Sequence, residues 1–277
     1  MAKINFQNSK NIIGMIHCLP LPGAANYGGS MQAVVDRALY DLQAMQRAGV
    51  DAVIVENFCD KPVSAKLSQE QLAALSVVSA AVVRESTIPV GIDAAFCDPM
   101  ASLAIAAATG AAFIRVPVFV DTVITSDGVI SPCAKELLRY RRLLEAEDVA
   151  LLCDIQTKHT YMLNPAIPIT ESAVMAQDSG ADAIIITGAH TGSATPLDTI
   201  RVVREAVSLP LIVGSGVKIT NVEEQMALVD AAIVGSSMKA HGLAEEPIDE
   251  CLAAALMEKV RTFRAGSNPG RQPAHEA

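Results

Sequence analysis

The chain contains no tryptophan, and aromatic residues make up only 4% of its 277 residues. Its six cysteines include no C-x-x-C pair, so we expect neither disulfides nor structural zinc, and a reducing cytoplasm fits this usage. No unbroken apolar run is long enough to cross a bilayer, and the first residues lack the apolar core of a signal peptide. These absences predict a cytoplasmic protein without membrane insertion.

Positive charge is also scarce. With 21 basic and 30 acidic residues the net charge is −9, which disfavours broad nucleic-acid binding. No polybasic segment suggests a membrane surface. Three cysteines, Cys18, Cys59 and Cys97, each follow the end of a predicted strand. Their thiols could bind a metal at one rim, although small buried cysteines are much more common.

The chain repeats a segment in which a glycine that ends a helix is followed by a short connection and an apolar, β-rich run. Clear copies occupy 48–56, 109–116 and 179–187, and a weaker copy occupies 228–235. Such runs suit parallel strands that are buried on both faces. Further apolar strands lie between the copies, at 12–17, 89–93, 149–154 and 211–213.

Eight strands that alternate with helices predict an α/β protein with a single (β/α)8 TIM barrel over residues 1–263. The tail, 264–277, is rich in glycine, proline and polar residues and is predicted to be disordered. Helix starts are marked by a capping residue before proline or by a capping box. They stand at Asp98-Pro99, Ser131-Pro132, Thr195-Pro196, Ser68…Gln71 and Thr220…Glu223.

Connections that follow strands are often long, whereas those that follow helices are short, which indicates a functional face at the C-terminal ends of the strands. The stretch 118–130 alternates and contains Asp127-Gly128, so it could form a hairpin over that face or a contact between subunits. Alanine-rich helices at 72–83 and 100–109 are apolar on more than one side, so we expect a homo-oligomer.

Two glycine turns follow the last two predicted strands. The first comprises Gly214, Ser215, Gly216 and Val217, and the second, which starts 21 residues after Gly214, comprises Gly235, Ser236 and Ser237. Glycine lets a backbone approach an anion closely, and free N–H groups at a turn attract phosphate. Because turns after strands 7 and 8 of such barrels frequently bind phosphate, we expect a small phosphorylated ligand here. Ordinary tight-turn geometry is the alternative.

Polar residues stand at the ends of the predicted strands, where burial is costly unless they are paired. They comprise the candidate catalytic residues His17, Glu56, Asp93, Asp154, Lys158 and His159, and the candidate substrate-binding residues Arg115 and Gly188. One interpretation is a polar pocket above an apolar barrel. The other is that the ion pairs Glu56–Arg115 or Asp154–Lys158 close the top of the barrel.

Side chains alternate along a strand, so Asp154, Gln156 and Lys158 would share a face if the strand extends that far. Asp154 and Lys158 together could transfer protons. Lys158 could instead form a Schiff base with a carbonyl substrate, or hold a charged substrate group. His17 and His159 are candidate proton shuttles. A divalent metal is possible, but the spacing of these residues does not require one, so we assign no metal ligand and no certain cofactor.

Several segments of the chain resemble the BtpA/SgcQ family. They are 17–23, 50–58, 113–116, 127–128, 137–142, 158–159, 213–217 and 233–237. The resemblance covers roughly residues 10–260, is closer to SgcQ-like members, and implies a barrel of the ribulose-phosphate-binding type. Asp93, Phe96 and Gln156 stand where BtpA-like members carry asparagine, arginine and, in many cases, histidine. The resemblance therefore transfers neither a substrate nor a histidine-based metal site.

Three functions are compatible with the sequence. The first is a cytoplasmic enzyme that acts on a sugar phosphate by isomerase, epimerase or aldolase chemistry, in line with the association of SgcQ-like members with sugar use. The second is a non-catalytic assembly or regulatory factor that keeps the ligand pocket, because BtpA-like members support photosystem I accumulation. The third is a metal-dependent hydrolase or lyase.

Overall fold

The computed structural model describes residue 6 and residues 10–188 and 192–267. Its elements are, in chain order, β1 (Asn11–His17), α1 (Met31–Ala48), β2 (Ala52–Glu56), α2 (Gln69–Glu85), β3 (Val90–Asp93), α3 (Pro99–Thr109), β4 (Phe113–Val116), β5 (Val123–Thr125), β6 (Gly128–Ile130), α4 (Ala134–Leu143), β7 (Ala150–Ile155), β8 (Tyr161–Met162), α5 (Ile169–Asp178), β9 (Ala183–Ile186), α6 (Leu197–Ala206), β10 (Leu211–Val213), α7 (Val222–Leu228), β11 (Ala231–Val234) and α8 (Glu250–Ser267). Two short 3-10 turns, Ser236–Met238 and Ala240–Gly242, lie between β11 and α8.

Eight strands close into a barrel in the order β1-β11-β10-β9-β7-β4-β3-β2, and each pair of neighbours is parallel. The predicted TIM barrel is therefore confirmed. Because all eight strands run in the same direction, their C-terminal ends form one rim. Register brings polar strand ends side by side there, with His17 beside Glu56 and Glu56 beside Asp93.

The interior of the barrel is apolar. Ile54, Leu152 and Ile185 are among the side chains buried in it. Phe113 on β4 occupies the space beside Gly91 on β3, where an added Cβ would lie 2.1 Å from the phenyl ring. A second, larger apolar cluster packs the outer faces of the strands against the helices. Strands buried on both faces explain the unbroken apolar runs in the sequence.

Two of the predicted helix starts are confirmed. Ser68 and Gln71 form a complete capping box at α2, in which each side chain accepts a hydrogen bond from the other residue's backbone N–H. At α3 the Asp98 side chain accepts from the backbone N–H of Ala101, and Pro99 occupies the first turn. Both caps satisfy N–H groups that a helix start leaves without partners.

Three predicted helix starts are wrong in position. Helix α4 follows Cys133 rather than Ser131-Pro132, α6 follows Pro196 without a side-chain cap from Thr195, and α7 follows Asn221 rather than the box Thr220…Glu223. At two of these starts, α6 and α7, a polar side chain next to the helix has another partner. The Thr195 hydroxyl donates to the Ile186 carbonyl, and the Asn221 side chain accepts from the backbone N–H of Lys218.

The predicted hairpin exists as β5 and β6, and β8 adds a third antiparallel strand to it. The Asp127 carboxylate at its tip accepts a hydrogen bond of 2.8 Å from the backbone N–H of Ala65. This bond attaches the hairpin to the loop after β2, at the rim where the strands end. The hairpin therefore lies at the functional face, as one of the two sequence interpretations held.

The predicted C-terminal tail starts too early. Helix α8 continues to Ser267, and Arg264 donates to the Lys10 carbonyl and pairs with the Asp51 carboxylate. Residues 264–267 thus belong to the barrel, and the rest of the tail lies outside the described residues. None of the helices in the described part of the chain is long and apolar enough to span a membrane.

Candidate active site

A cavity of about 360 Å³ opens at the C-terminal rim of the barrel. Most predicted site residues line it: His17, Glu56, Asp93, Arg115, Lys158, His159, Gly214, Ser215, Gly216, Val217, Gly235, Ser236 and Ser237. Asp154 and Gly188 do not line it. The loop 187–193, which contains the candidate residue Gly188, is described only in part, because 189–191 lie outside the described residues.

The residues of the first glycine turn line this cavity. Among the described residues, none accepts a hydrogen bond from the backbone N–H of Ser215, Gly216 or Val217. By contrast, the Gly214 N–H at the start of the turn has an acceptor, because it donates to the Ile186 carbonyl at 2.8 Å. The Ser215 hydroxyl accepts from the Gly188 N–H at 2.9 Å and donates to the Ser193 carbonyl at 3.0 Å. Gly188 therefore positions the turn and does not face the ligand space.

Gly216 is required where it stands. Its φ of +70° lies in the left-handed region, and an added Cβ would lie 2.2 Å from the backbone nitrogen of Ala194. Only glycine combines this dihedral angle with so close an approach of two backbone segments.

The second turn lies beside the first because β10 and β11 are neighbours in the barrel. The Ser237 hydroxyl donates to the Val217 carbonyl at 2.7 Å and joins the two turns. Within the described part of the chain, no acceptor meets the backbone N–H of Gly235, Ser236 or Ser237. Six N–H groups from two adjacent turns thus have no protein acceptor beside one cavity, which is the arrangement an anion requires.

The ion pairs at the barrel top differ from both predicted pairs. Arg115 donates to Asp154 through Nε at 2.9 Å and Nη2 at 2.8 Å, and to Asp93 through Nη1 at 3.4 Å. The Thr157 hydroxyl adds a third hydrogen bond to Asp154, at 2.9 Å. Although burial opposes it, these carboxylates raise the pKa of Arg115. Asp154 is thus fully buried beneath the cavity, where it holds Arg115 in place.

Asp93 keeps one carboxylate oxygen without a partner. Its Oδ2 accepts from Arg115, but its buried Oδ1 has no hydrogen bond to any described residue. Burial, and then the neighbouring Glu56 carboxylate, raise the pKa of Asp93 well above its usual value. A proton on Oδ1 would remove the cost of this bare oxygen and would provide a donor at the cavity.

His17 and Glu56 form a second polar pair. His17 Nδ1 donates to the Ala244 carbonyl at 2.7 Å, so Nε2 is the unprotonated nitrogen of the neutral ring. Nε2 faces Glu56 Oε2 at 3.5 Å. Burial, with the nearby Lys239 charge, lowers the pKa of His17 to about 3, and burial raises the pKa of Glu56. A neutral base and a carboxyl group that tends to hold its proton therefore lie side by side.

The predicted shared face of Asp154, Gln156 and Lys158 is wrong. Strand β7 ends at Ile155, and Gln156 has a φ of +42° that turns the chain. The Gln156 amide donates to the Ile167 carbonyl at 3.0 Å instead of facing the cavity. Beyond this turn Lys158 lines the cavity. Its pKa is lowered mainly by burial and secondly by the charge of Arg115.

Residues that sequence reasoning missed form the opposite wall. Phe58 follows β2 and Phe96 follows β3, and these strands lie opposite β9 and β10 in the ring. The Phe58 ring stacks on His17, with centroids 4.4 Å apart. Lys61 pairs with Glu245 beside it. Phe58 lies in a segment that carried the family resemblance, and Phe96 is a position where the chain departs from BtpA-like members, whereas nothing in the sequence singled out Lys61.

The thiols of Cys18, Cys59 and Cys97 are buried. Burial raises the pKa of Cys59 to about 11 and that of Cys97 to about 12, which is unfavourable for a thiolate ligand. Among the described residues, no three His, Cys, Asp or Glu side chains form a group that could hold a metal ion.

Known proteins of similar sequence extend over nearly the whole chain. An uncharacterised protein of Pyrococcus abyssi is 36% identical over 92% of this chain and 98% of its own length. The photosystem I biogenesis protein BtpA of Synechocystis is 36% identical over 92% of this chain and 89% of its own length.

Solved structures show the same fold at low sequence identity. Thiamine phosphate pyrophosphorylase from Pyrococcus furiosus has a TM-score of 0.57 at 12% identity, covering 94% of this chain and 99% of its own. N-(5'-phosphoribosyl)anthranilate isomerase from Pyrococcus furiosus has a TM-score of 0.56 at 16% identity, covering 91% of this chain and 99% of its own.

The family assignment rests on both the sequence relatives and the family model. The model of the BtpA family matches residues 8–262. The closer likeness to SgcQ-like members stays a prediction. The chain belongs to the BtpA family.

Proposed function

We propose that this protein is an enzyme that acts on a small phosphorylated metabolite, with the phosphate held by the two glycine turns. The observation that carries the proposal is that six backbone N–H groups, with no acceptor among the described residues, share one cavity with Glu56, Asp93, His17 and Lys158. A phosphate bound at the turns would accept several of these N–H groups. The rest of the ligand would then extend over the acidic and basic side chains.

These side chains suit proton transfer next to a carbonyl group. Glu56 and Asp93, with raised pKa values, would donate protons and, once ionised, would accept them again. Isomerisation, epimerisation and aldol cleavage all require an anchored substrate and such an acid–base pair. We propose sugar phosphates as substrates, with Asp154 and Arg115 as positioning residues below the reacting groups.

The names of the structural neighbours support the same substrate class. Thiamine phosphate pyrophosphorylase and N-(5'-phosphoribosyl)anthranilate isomerase are named for phosphorylated compounds. Their likeness to this chain shows the barrel alone, so the site geometry, and not the likeness, carries the proposal.

Gly235 permits a direct test. An added Cβ there would lie 3.4 Å from His17 Cε1, an ordinary contact, and the backbone conformation of Gly235 (φ −120°, ψ −94°) imposes the same cost on alanine and on aspartate, so Gly235→Ala is the matched control. Gly235→Asp places a carboxylate among the N–H groups and should abolish stabilisation by phosphorylated ligands, whereas Gly235→Ala should keep most of it. The measurement is a thermal-shift screen of both variants and the wild type against sugar phosphates and their unphosphorylated parents. Equal shifts with the two ligand sets, or unchanged binding in Gly235→Asp, would contradict the phosphate site.

A second candidate function is a non-catalytic assembly factor, which the name of the Synechocystis relative favours. It predicts that Asp154→Asn and Lys158→Met leave the cellular phenotype intact. Under this function Gly235→Asp need not change the phenotype either. Complementation of a deletion strain by these variants separates the two functions, since an enzyme should lose activity with Lys158→Met. Metal analysis of protein purified without chelator tests the remaining alternative, a metal-dependent hydrolase or lyase.

We also propose a cytoplasmic homo-oligomer. Apolar side chains on outer helix faces support it: Val77 on α2 is 56% exposed and Val202 on α6 is 44% exposed. Such residues on a helix surface often pack against another subunit. Light scattering after gel filtration measures the subunit number.

A further inference from the structure

We infer that the ligand of this cavity is a phosphorylated aldehyde or ketone, and that Lys158 binds its carbonyl carbon covalently as an imine. The inference rests on the proposed phosphate site and adds to it the functional group on which the enzyme acts. It also assigns one of the three roles that the sequence left open for Lys158.

Within the described part of the chain, Lys158 has no partner of opposite charge. Among the described residues, its Nζ makes no hydrogen bond and no ion pair. The acidic groups nearby are held by others: Asp154 and Asp93 by Arg115, and Glu56 by the contact with His17. A lysine that is excluded from every carboxylate around it is available to a ligand.

The position of Lys158 also suits imine formation. Strand β7, which leads to Lys158, is separated from β10 by β9 alone. At the usual strand spacing the ends of β7 and β10 lie about 10 Å apart around the rim, and Lys158, three residues after β7, lines the same cavity as the first glycine turn. That distance matches a phosphate ester with a carbonyl group a few atoms away. The backbone N–H of Lys158 donates to the Thr187 hydroxyl at 3.0 Å, which fixes the lysine after the turn at Gln156.

The electrostatic surroundings of Lys158 suit it as well. Arg115 is a permanent cation whose field opposes a second charge on Lys158, and burial acts in the same direction. The Lys158 charge in turn lowers the pKa of Glu56 and Asp93, so the amine lies close to both carboxyl groups. A lysine that served only to bind an anion would be expected in surroundings that keep its amine protonated. An amine whose pKa is lowered, beside two carboxyl groups whose pKa values are raised, is instead the arrangement that favours imine formation.

The covalent step balances with the groups present. The Nζ lone pair attacks the carbonyl carbon, and the carbonyl oxygen takes a proton from Glu56 or Asp93, which gives a carbinolamine. Nζ loses a proton to the carboxylate so formed. The hydroxyl group then takes a proton and leaves as water while the carbon–nitrogen double bond forms. The sum is carbonyl plus amine giving imine plus water, with no oxidant or reductant.

The imine would draw electrons from the adjacent carbon. A proton on that carbon, or the next carbon–carbon bond, would then break more readily. The reaction class is therefore aldol-type cleavage or condensation, or isomerisation through an enamine.

Borohydride trapping tests this inference. Wild-type protein is incubated with dihydroxyacetone phosphate or with unphosphorylated dihydroxyacetone, reduced with sodium borohydride, and digested for peptide mass spectrometry. We expect an adduct on Lys158 that approaches one per chain with the phosphate ester and is at least tenfold lower with dihydroxyacetone. Lys158→Arg should lose the adduct. Lys218→Arg, which changes an exposed lysine at the same cavity, should retain it.

The outcomes separate this inference from the proposed function. If dihydroxyacetone phosphate stabilises the wild type and Lys158→Arg alike but leaves no adduct on Lys158, the imine is wrong and the phosphate site stands. Adducts spread over surface lysines, or unchanged in Lys158→Arg, also overturn it. If no phosphorylated compound binds and Lys158 is unmodified, both proposals fail. Pyridoxal 5'-phosphate, with pyridoxal as its control, provides a second probe with the same readout.

Discussion

The guanidinium group of Arg115 and the carboxylate of Asp154 form a pair of hydrogen bonds at the ends of the neighbouring strands β4 and β7, with Nε and Nη2 at 2.9 and 2.8 Å from the two carboxylate oxygens. Both side chains are buried. The pair fixes the plane of the guanidinium group and directs Nη1 toward Asp93. Asp154 therefore holds Arg115 in place at the wall of the cavity, and Glu56, Asp93, His17 and Lys158 line the cavity around it.

Removing the Arg115 charge should strongly destabilise the protein. Arg115→Met leaves the Asp93 and Asp154 carboxylates buried without their cation, and we expect a loss of about 3–5 kcal/mol in the free energy of unfolding. Arg115→Met/Asp154→Asn should recover part of that loss, because the fully buried carboxylate is then neutral. Urea unfolding followed by circular dichroism measures these changes.

An exposed pair provides the control for this prediction. In the pair Arg201–Asp198 the side chains are 54% and 93% exposed, so Arg201→Met should cost less than about 1 kcal/mol. Equal losses of unfolding free energy in Arg115→Met and Arg201→Met would show that the buried pair contributes no more to stability than the exposed pair.

His17 should make the protein less stable in acid. Its pKa in the folded state is about 3 against 6.5 in the unfolded chain. Between these two pH values the unfolded chain therefore binds a proton that the folded protein does not. The contribution of the neutral ring is fully present above pH 6.5 and is lost as the pH falls toward 3, at up to about 1.4 kcal/mol per pH unit. His17→Gln keeps a donor for the Ala244 carbonyl and does not titrate. The stability difference between wild type and His17→Gln should therefore shrink as the pH is lowered from 7 to 5.

Urea unfolding of both proteins at pH 7, 6 and 5 checks this trend. Glu56 and Asp93, whose raised pKa values act in the opposite direction, are present in both proteins, so the difference isolates His17. Parallel pH profiles for the two proteins would contradict a neutral, buried His17.

Gly91 should tolerate no side chain while Phe113 is present. A Cβ at Gly91 would lie 2.1 Å from the Phe113 ring, so Gly91→Ala should cost about 1–3 kcal/mol or more through overpacking. Gly91→Ala/Phe113→Leu should be less destabilised than the sum of the two single variants, because leucine vacates the space. Gly28→Ala is the matched control, since nothing lies within 4 Å of its added Cβ. Thermal and urea unfolding measure the stability of the four variants and of the wild type. Additive losses of stability in the double variant would argue against the steric conflict.

Much of the rim could be anticipated from residue order. The positions of His17, Glu56 and Asp93 at the rim follow from apolar runs that end in a polar residue, because a parallel barrel gathers its strand ends. The pairing among them could not be anticipated. The ion-pair interpretation paired Arg115 with Glu56 or Lys158 with Asp154, whereas Arg115 pairs with both Asp154 and Asp93. Such a choice depends on side-chain reach across three strands of the rim.

Loops were less predictable than strands for the same reason. Glycine turns at Gly214 and Gly235 were visible because glycine itself marks the turn, but the amide of Gly188 is consumed by the Ser215 hydroxyl, which only a tertiary contact could reveal. The wall formed by Phe58 and Phe96 comes from loops whose path is set by contacts such as that between Asp127 and Ala65.

By itself, the sequence determined that this chain forms a parallel eight-stranded barrel with its functional groups at one rim. The spacing of apolar, β-rich runs and helix-ending glycines determines strand and helix positions locally, and parallel closure then follows. Only the tertiary structure decided that Asp154 lies beneath the cavity and Lys158 inside it. The cause is the left-handed backbone at Gln156, φ +42°, which ends the alternation of β7 and turns the lysine toward the cavity while Arg115 holds the aspartate below.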